Sequence, residues 1–152
     1  MKISNQGIDF ICRREELELE AYRDIKGIWT IGYGHTGPEV KFKMTITKEQ
    51  AKEYLAQDLA TAEKALTPIK NLTQYEYDAL ISLVFNIGTT AFKNSTIRRL
   101  LLQGNKDLAA NQFKVWNKVT IGNDKVVSKG LVNRRAKETK LFTTGDYSDW
   151  FN

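Results

Sequence analysis

Glu15, Asp24 and Thr30 stand at the spacing E-x8-D-x5-T near the N-terminus. Glu15 falls at the end of a helical pattern, Asp24 in the turn 24–27, and Thr30 in the β-branched and aromatic run 28–34. Two carboxylates in unlike surroundings are what cleavage of a glycosidic bond needs. One stays protonated and gives its proton to the leaving oxygen. The other stays ionised and activates water or steadies positive charge. A threonine hydroxyl beside Asp24 would hold that water. Triplets of Glu, Asp and Thr are common by chance, so the spacing alone is only moderately specific.

The elements that must position these groups follow from periodicity. Residues 4–15 read as a short amphipathic helix with Ser4 as N-cap and Ile8, Ile11 and Cys12 as its apolar stripe. Glu15 lies four after Ile11, on that same inward stripe. Desolvation and the negative end of the helix dipole would both favour its protonated form. The rival reading makes Glu15 one more member of a solvated run with Glu16, Glu18 and Glu20. Asp24 has its own bland reading as turn chemistry, and Thr30 as a common strand residue. A small antiparallel sheet is expected over 20–46. Within it, Gly32-Tyr-Gly-His-Thr-Gly37 matches a GxGxxG string. A dinucleotide site needs a helix immediately afterwards, and Pro38–Met44 lacks helical periodicity.

The rest of the chain is helical in pattern. Thr47 and Gln50 form a capping box opening a long helix to about Leu66, with the stripe Ala51, Tyr54, Leu55, Leu59, Ala62 and Leu66. Asp58 lies one short of that stripe, within reach of a buried partner. Thr73 and Glu76 repeat the capping pattern before an apolar helix (Ala79, Leu80, Leu83, Val84, Ile87) that Gly88 ends; this is the expected core helix. Ser95 caps a short helix closed by Gly104, and another is expected over 106–116. Residues 119–127 around Gly122-Asn123 read as a hairpin, Ser128 precedes a basic helix over 130–142, and the aromatic tail 147–151 is expected to pack back. No internal repeat, low-complexity tract or linker interrupts the pattern.

Bulk properties narrow the classes. The chain has 152 residues and one cysteine, Cys12, which excludes an intramolecular disulfide framework. With one histidine beside it, the usual zinc ligand set is missing, and no metal or cofactor is expected. The net charge of +5 attracts some polyanion: nucleic acid, an anionic membrane surface or an acidic bacterial envelope. The basic residues (Lys41/Lys43, Arg98/Arg99, Lys137/Lys140) are scattered, so no specific nucleic-acid reading is expected. The first eighteen residues hold no apolar run long enough for a signal peptide or membrane anchor. Accumulation in the cytosol without membrane insertion is therefore expected, and any export would need another protein.

The stretch Ala21-Tyr-Arg-Asp24-Ile-Lys-Gly27-Ile-Trp-Thr30-Ile-Gly-Tyr-Gly-His35-Thr36, preceded by Glu15, resembles the active-site motif of the phage-type lysozymes, endolysins of glycoside hydrolase family 24. Phe85-Asn-Ile-Gly88, Phe92-Lys-Asn-Ser95-Thr96 and Gly130-Leu-Val-Asn-Arg-Arg135-Ala-Lys-Glu138 are also similar to family segments, so the likeness runs through nearly the whole chain. It implies one α+β, mainly α, two-lobed domain. Its parts would be an N-terminal helix 4–15, a β lobe over about 18–46, a connecting helix over about 48–66 and a helical lobe over about 67–152.

The implied activity is hydrolysis of the β-1,4 bond between N-acetylmuramic acid and N-acetylglucosamine in peptidoglycan, with inversion, for lysis of the host. Glu15 would be the general acid, and Asp24 and Thr30 would align and activate the water. Arg135 matches the family arginine that pairs with the catalytic Glu, and His35 the structural histidine, with Asp58 as its carboxylate partner. Thr36, Phe85, Ser95 and Gln112 fall where substrate contacts are expected. One departure stands out: Glu16 replaces the glycine usual after the catalytic Glu, and a second carboxylate there would raise the Glu15 pKa further or narrow the working pH range. The implied protein is a monomer in the host cytoplasm that waits for a holin lesion to reach the periplasmic wall. The rival readings are a lytic transglycosylase, which uses one acid and no water, and an inactive wall-binding module. The apparent water-positioning pair argues against the first, and the intact triad against the second.

Overall fold

The computed structural model describes residues 1–149, so Trp150 and Phe151 of the expected aromatic tail lie outside the described residues. The fold is α+β and mainly α, and the chain divides into two compact units. A β-rich unit comprises Ile8–Ala60; a helical unit comprises Met1–Gly7 and the chain from Thr61 onward.

In the β-rich unit, α1 (Asn5–Cys12) leads to β1 (Glu18–Arg23), β2 (Trp29–Gly32) and β3 (His35–Thr36). The strands form an antiparallel sheet in the order β1-β2-β3, with Tyr22 opposite Thr30 and Thr30 opposite Thr36. The GxGxxG string is therefore the turn between β2 and β3, with no helix after it. Gly32 has φ +68, and a Cβ there would lie 3.3 Å from the Cβ of Ala51, so its missing side chain lets the sheet close onto the next helix. That helix, α2 (Lys48–Asp58), opens with the full Thr47/Gln50 capping box. The expected continuous helix 48–66 is parted at Leu59, where ψ of −14° tightens the turn before α3 (Ala60–Leu66). Ala51, Leu55, Leu59, Ala62 and Leu66 of the expected stripe are all buried, and Tyr54 is half-buried.

α1 also departs from expectation. It ends at Cys12, and Arg14 N–H bonds Ile11 O at 2.8 Å while Glu15 N–H bonds Cys12 O at 3.3 Å. These tightened turns re-aim the chain toward β1, so Glu15 occupies a turn past the helix end and not the helix stripe. The residues of α1 that are fully buried are Phe10 and Ile11; Ile8 and Cys12 are half-buried. Ser4 caps the helix as expected, its Oγ accepting from Gly7 N–H at 2.9 Å.

The helical unit is built around α4 (Gln74–Ile87), opened by the Thr73/Glu76 capping box, ended at Gly88 and buried without break from Glu76 to Val84. After it come α5 (Thr89–Lys93), α6 (Thr96–Leu102, capped by Ser95) and α7 (Lys106–Ala110). The expected helix 106–116 is broken: α7 stops at Ala110 and a 3-10 turn, Phe113–Val115, follows. The expected hairpin forms as β4 (Lys118–Ile121) and β5 (Asp124–Val127), and α8 (Lys129–Thr144) packs along α4.

Between α4 and α8 lies a buried polar network. Glu138, fully buried, accepts from Ser82 Oγ at 2.5 Å and from the Arg135 guanidinium at 2.6 Å, and Arg134 Nε lies 3.3 Å away. Two guanidiniums on one carboxylate, each with further acceptors, satisfy what burial would otherwise leave costly.

Candidate active site

Glu15, Asp24, Thr30, His35, Thr36 and Asp58 all belong to the β-rich unit. Asp24 opens the β1–β2 turn. Its Oδ1 accepts from Lys26 N–H at 2.8 Å and Ile28 N–H at 2.9 Å. The turn reading of Asp24 holds: the turn amides take one oxygen and thereby fix the direction of Oδ2. Thr30 is buried on β2, and its hydroxyl donates to Ile28 O at 2.9 Å. With its proton spent there, the oxygen remains an acceptor. Asp24 and Thr30 thus share residue Ile28, whose N–H donates to Asp24 and whose carbonyl accepts from Thr30. Glu15 is half-buried in the turn after α1, and Glu16 beside it is exposed.

His35 is buried on β3, with Nδ1 2.9 Å from Asp58 Oδ2 and Nε2 2.5 Å from Glu39 Oε1. Its ring stacks on Tyr54 at 4.1 Å between centroids and 13° between planes. Burial pushes the imidazole pKa down, and the hydrogen bonds to Glu39 and Asp58 more than reverse this, so the net shift is upward. With both nitrogens held by carboxylates, His35 is a fastener of β3 to α2 and not a free proton carrier. Glu39 is the residue that sequence reasoning missed; its i+4 spacing from His35 was a signal, but no helix supplies it. Cys12 and Tyr33 hydrogen-bond each other, and burial above all pushes the Tyr33 phenol up to about 12.

Phe85, Ser95, Gln112 and Arg135 belong to the helical unit. Arg135 is almost fully buried: Nε donates to Trp116 O at 2.7 Å, one terminal nitrogen to Glu138 at 2.6 Å and the other to Asn86 Oδ1. Burial lowers its pKa and Glu138 opposes that shift. It lines a groove of about 620 Å³ with Trp116, Lys118 and Lys125. Phe85 and Gln112 are half-buried. The Ser95 hydroxyl is occupied by its cap, donating to Phe92 O at 2.6 Å and accepting from Arg98 N–H at 3.1 Å. Among the described residues no cluster of His, Cys, Asp and Glu is arranged to hold a metal ion.

Comparison with known proteins bears on the family and the fold. The profile of the phage lysozyme family matches residues 13–138. The endolysin of Acyrthosiphon pisum secondary endosymbiont phage 1 is 43% identical over 144 residues, covering 93% of this chain and 98% of that protein. Among solved structures, the endolysin from Escherichia coli O157:H7 phage FAHEc1 superposes with a TM-score of 0.89 at 44% identity, with 97% of each chain covered. The muramidase domain of SpmX from Asticaccaulis excentricus superposes with a TM-score of 0.88 at 35% identity, over 94% of this chain and 98% of that one. Likeness of this extent, in sequence and fold together, shows that the chain belongs to the phage lysozyme family and is a hydrolase of the lysozyme type.

Proposed function

We propose that the protein is a muramidase that hydrolyses the β-1,4 bond between N-acetylmuramic acid and N-acetylglucosamine in peptidoglycan. Glu15 is the general acid that protonates the leaving oxygen. Asp24 is the carboxylate that activates water, and the Thr30 oxygen accepts a hydrogen bond from that water. Attack from the far face makes the reaction inverting. The observation that carries this reading is the Asp24 carboxylate, anchored through Oδ1 by the Lys26 and Ile28 amides so that Oδ2 has a fixed direction. Likeness to a muramidase domain supports the choice of bond.

Thr36, exposed on β3, and Phe85, Ser95 and Gln112 in the helical unit are proposed substrate contacts. Ser95 would contribute only its remaining lone pair, because its cap uses the hydroxyl proton. The biological role that fits is host lysis by a monomer that collects in the host cytoplasm and gains the periplasmic wall through a holin lesion. Lysis on expression of this chain without any membrane lesion would contradict that route.

The test is mass spectrometry of fragments released from purified Gram-negative peptidoglycan by the wild type beside Glu15→Gln. Reducing N-acetylmuramic ends from the wild type alone support the assignment. Anhydro ends would make the protein a transglycosylase, and binding without fragments would make it a wall-binding module.

A further inference from the structure

Two turns of the β-rich unit share an unusual composition. The first joins β1 to β2 and is closed by Gly27 N–H on Asp24 O at 2.9 Å; its corners are Ile25, with relative exposure of 104%, and Lys26. The second is closed by Met44 N–H on Lys41 O at 3.0 Å; its corners are Phe42, 69% exposed, and Lys43. Each turn therefore presents a large apolar side chain at its first corner and a lysine at its second. Lys43 has φ +66°, a conformation that turns usually assign to glycine, so the backbone is strained to keep this lysine.

Trp29 links the two turns. Its ring centroid lies 5.7 Å from that of Phe42, and the Arg23 guanidinium lies 4.9 Å above it. The Arg23–Trp29 pair is the last rung of the β1–β2 ladder before the Asp24 turn. Ile28 and Tyr22, 48% and 41% exposed, extend the same end of the sheet. Lys26, Lys41 and Lys43 stand on these two turns and Arg23 on the rung beside the first, and none has an ion pair among the described residues. Of the acids nearby, Asp24 holds turn amides and Glu39 holds His35, while the charges of Glu18 and Glu16 are felt at Tyr22, on the flank of this end of the sheet.

Exposed apolar turn corners, each followed by a lysine and joined by aromatic rings, match one kind of surface. In an anionic bilayer the acyl boundary takes aliphatic tips, the headgroup level takes aromatic rings, and the phosphates take Lys and Arg. A sugar strand would be met by a flat aromatic platform, whereas Trp29 and Phe42 are tilted 47° to each other. No helix among the described residues is long and apolar enough to cross a membrane. We propose that the Ile25–Lys26 and Phe42–Lys43 turns, with Trp29 and Arg23, form a peripheral docking face for anionic lipid bilayers.

The test is flotation of the full chain with vesicles containing phosphatidylglycerol, beside vesicles of phosphatidylcholine alone. The wild type is expected to float with the anionic vesicles and release at high salt. Ile25→Ser/Phe42→Ser and Lys26→Glu/Lys43→Glu should each reduce partitioning by about tenfold or more, from the lost apolar burial or the reversed charge. Leu102→Ser/Leu108→Ser, on the exposed surface of the helical unit, should not. Unchanged melting temperatures exclude unfolding as the cause. Failure of the wild type to float, equal binding to phosphatidylcholine, or wild-type partitioning by both face variants would overturn the proposal. So would loss of lipid-free sacculus hydrolysis in Ile25→Ser/Phe42→Ser, which would mark the face as a glycan contact. Flotation needs no turnover, so it stands or falls separately from the muramidase reading.

Discussion

Nδ1 of His35 lies 2.9 Å from Oδ2 of Asp58, a bond that joins β3 to α2 within the β-rich unit. Because the folded-state pKa of His35 is raised, the stability it contributes is complete below the unfolded value near 6.5 and is lost as pH rises through the folded value. Melting temperature measured from pH 6 upward should therefore fall over that interval, and Asp58→Asn should flatten the slope. Glu39 acts at the other end of the scale. Its pKa is lowered by the hydrogen bond to His35, so its contribution is present above the ordinary glutamate value and fades as pH falls through the lowered one.

Asp24 separates chemistry from folding by a choice of replacement. In Asp24→Asn the amide oxygen still accepts from Lys26 and Ile28, so the turn stays and only the charge is lost. Hydrolysis should drop by roughly 10²–10⁴-fold with little change in melting temperature. Asp24→Ala should lose the same activity and in addition about 1–2 kcal/mol of stability, from the two turn amides left without their acceptor. Parallel turnover and denaturation measurements on the two variants distinguish these outcomes; equal stability would leave the turn bonds without structural weight.

Glu138 is the carboxylate shared by Ser82, Arg134 and Arg135 in the interior of the helical unit. Glu138→Ala leaves buried guanidiniums without their counter-charge and should cost about 3–5 kcal/mol in urea unfolding. Glu138→Gln, which keeps an acceptor, should cost less. Equal losses would show that the shape of the side chain, and not its charge, matters there.

Lys43→Gly should raise stability by about 1 kcal/mol, because glycine adopts φ +66° without the strain a lysine meets. The same substitution should weaken flotation with anionic vesicles. Stability unchanged or lowered in thermal unfolding would mean that Lys43 makes compensating contacts in the folded state.

Local rules made much of the fold legible in the sequence. The Thr47/Gln50 and Thr73/Glu76 boxes and Gly88 depend on neighbours within a few residues and formed where they were read, and the hairpin read over 119–127 formed with one more residue, from Lys118. The end of α1 did not follow from periodicity. The stripe through Glu15 continues on paper, but the chain must turn to enter β1, and i+3 bonds at Arg14 and Glu15 overrode it. Likewise the turn at Asp24 was readable, whereas the occupied Ser95 hydroxyl emerges only when Phe92 and Arg98 close around it. The distant partners, Ser4 and Tyr147 on Asp78 and Ser82 on Glu138, were not readable at all, since they come from segments more than fifty residues away.

Asp78 is fully buried on α4, and its carboxylate accepts from Ser4 N–H at 3.1 Å, from Ser4 Oγ and from Tyr147 Oη at 2.6 Å. Residues 4 and 147 are thus fastened to one clasp. Their loosening is one event and not two: freeing either segment leaves the carboxylate short of donors and weakens its hold on the other. A tag or a pulling force applied at one end should be felt as faster amide exchange at the other, although the two are joined only through the middle of the chain.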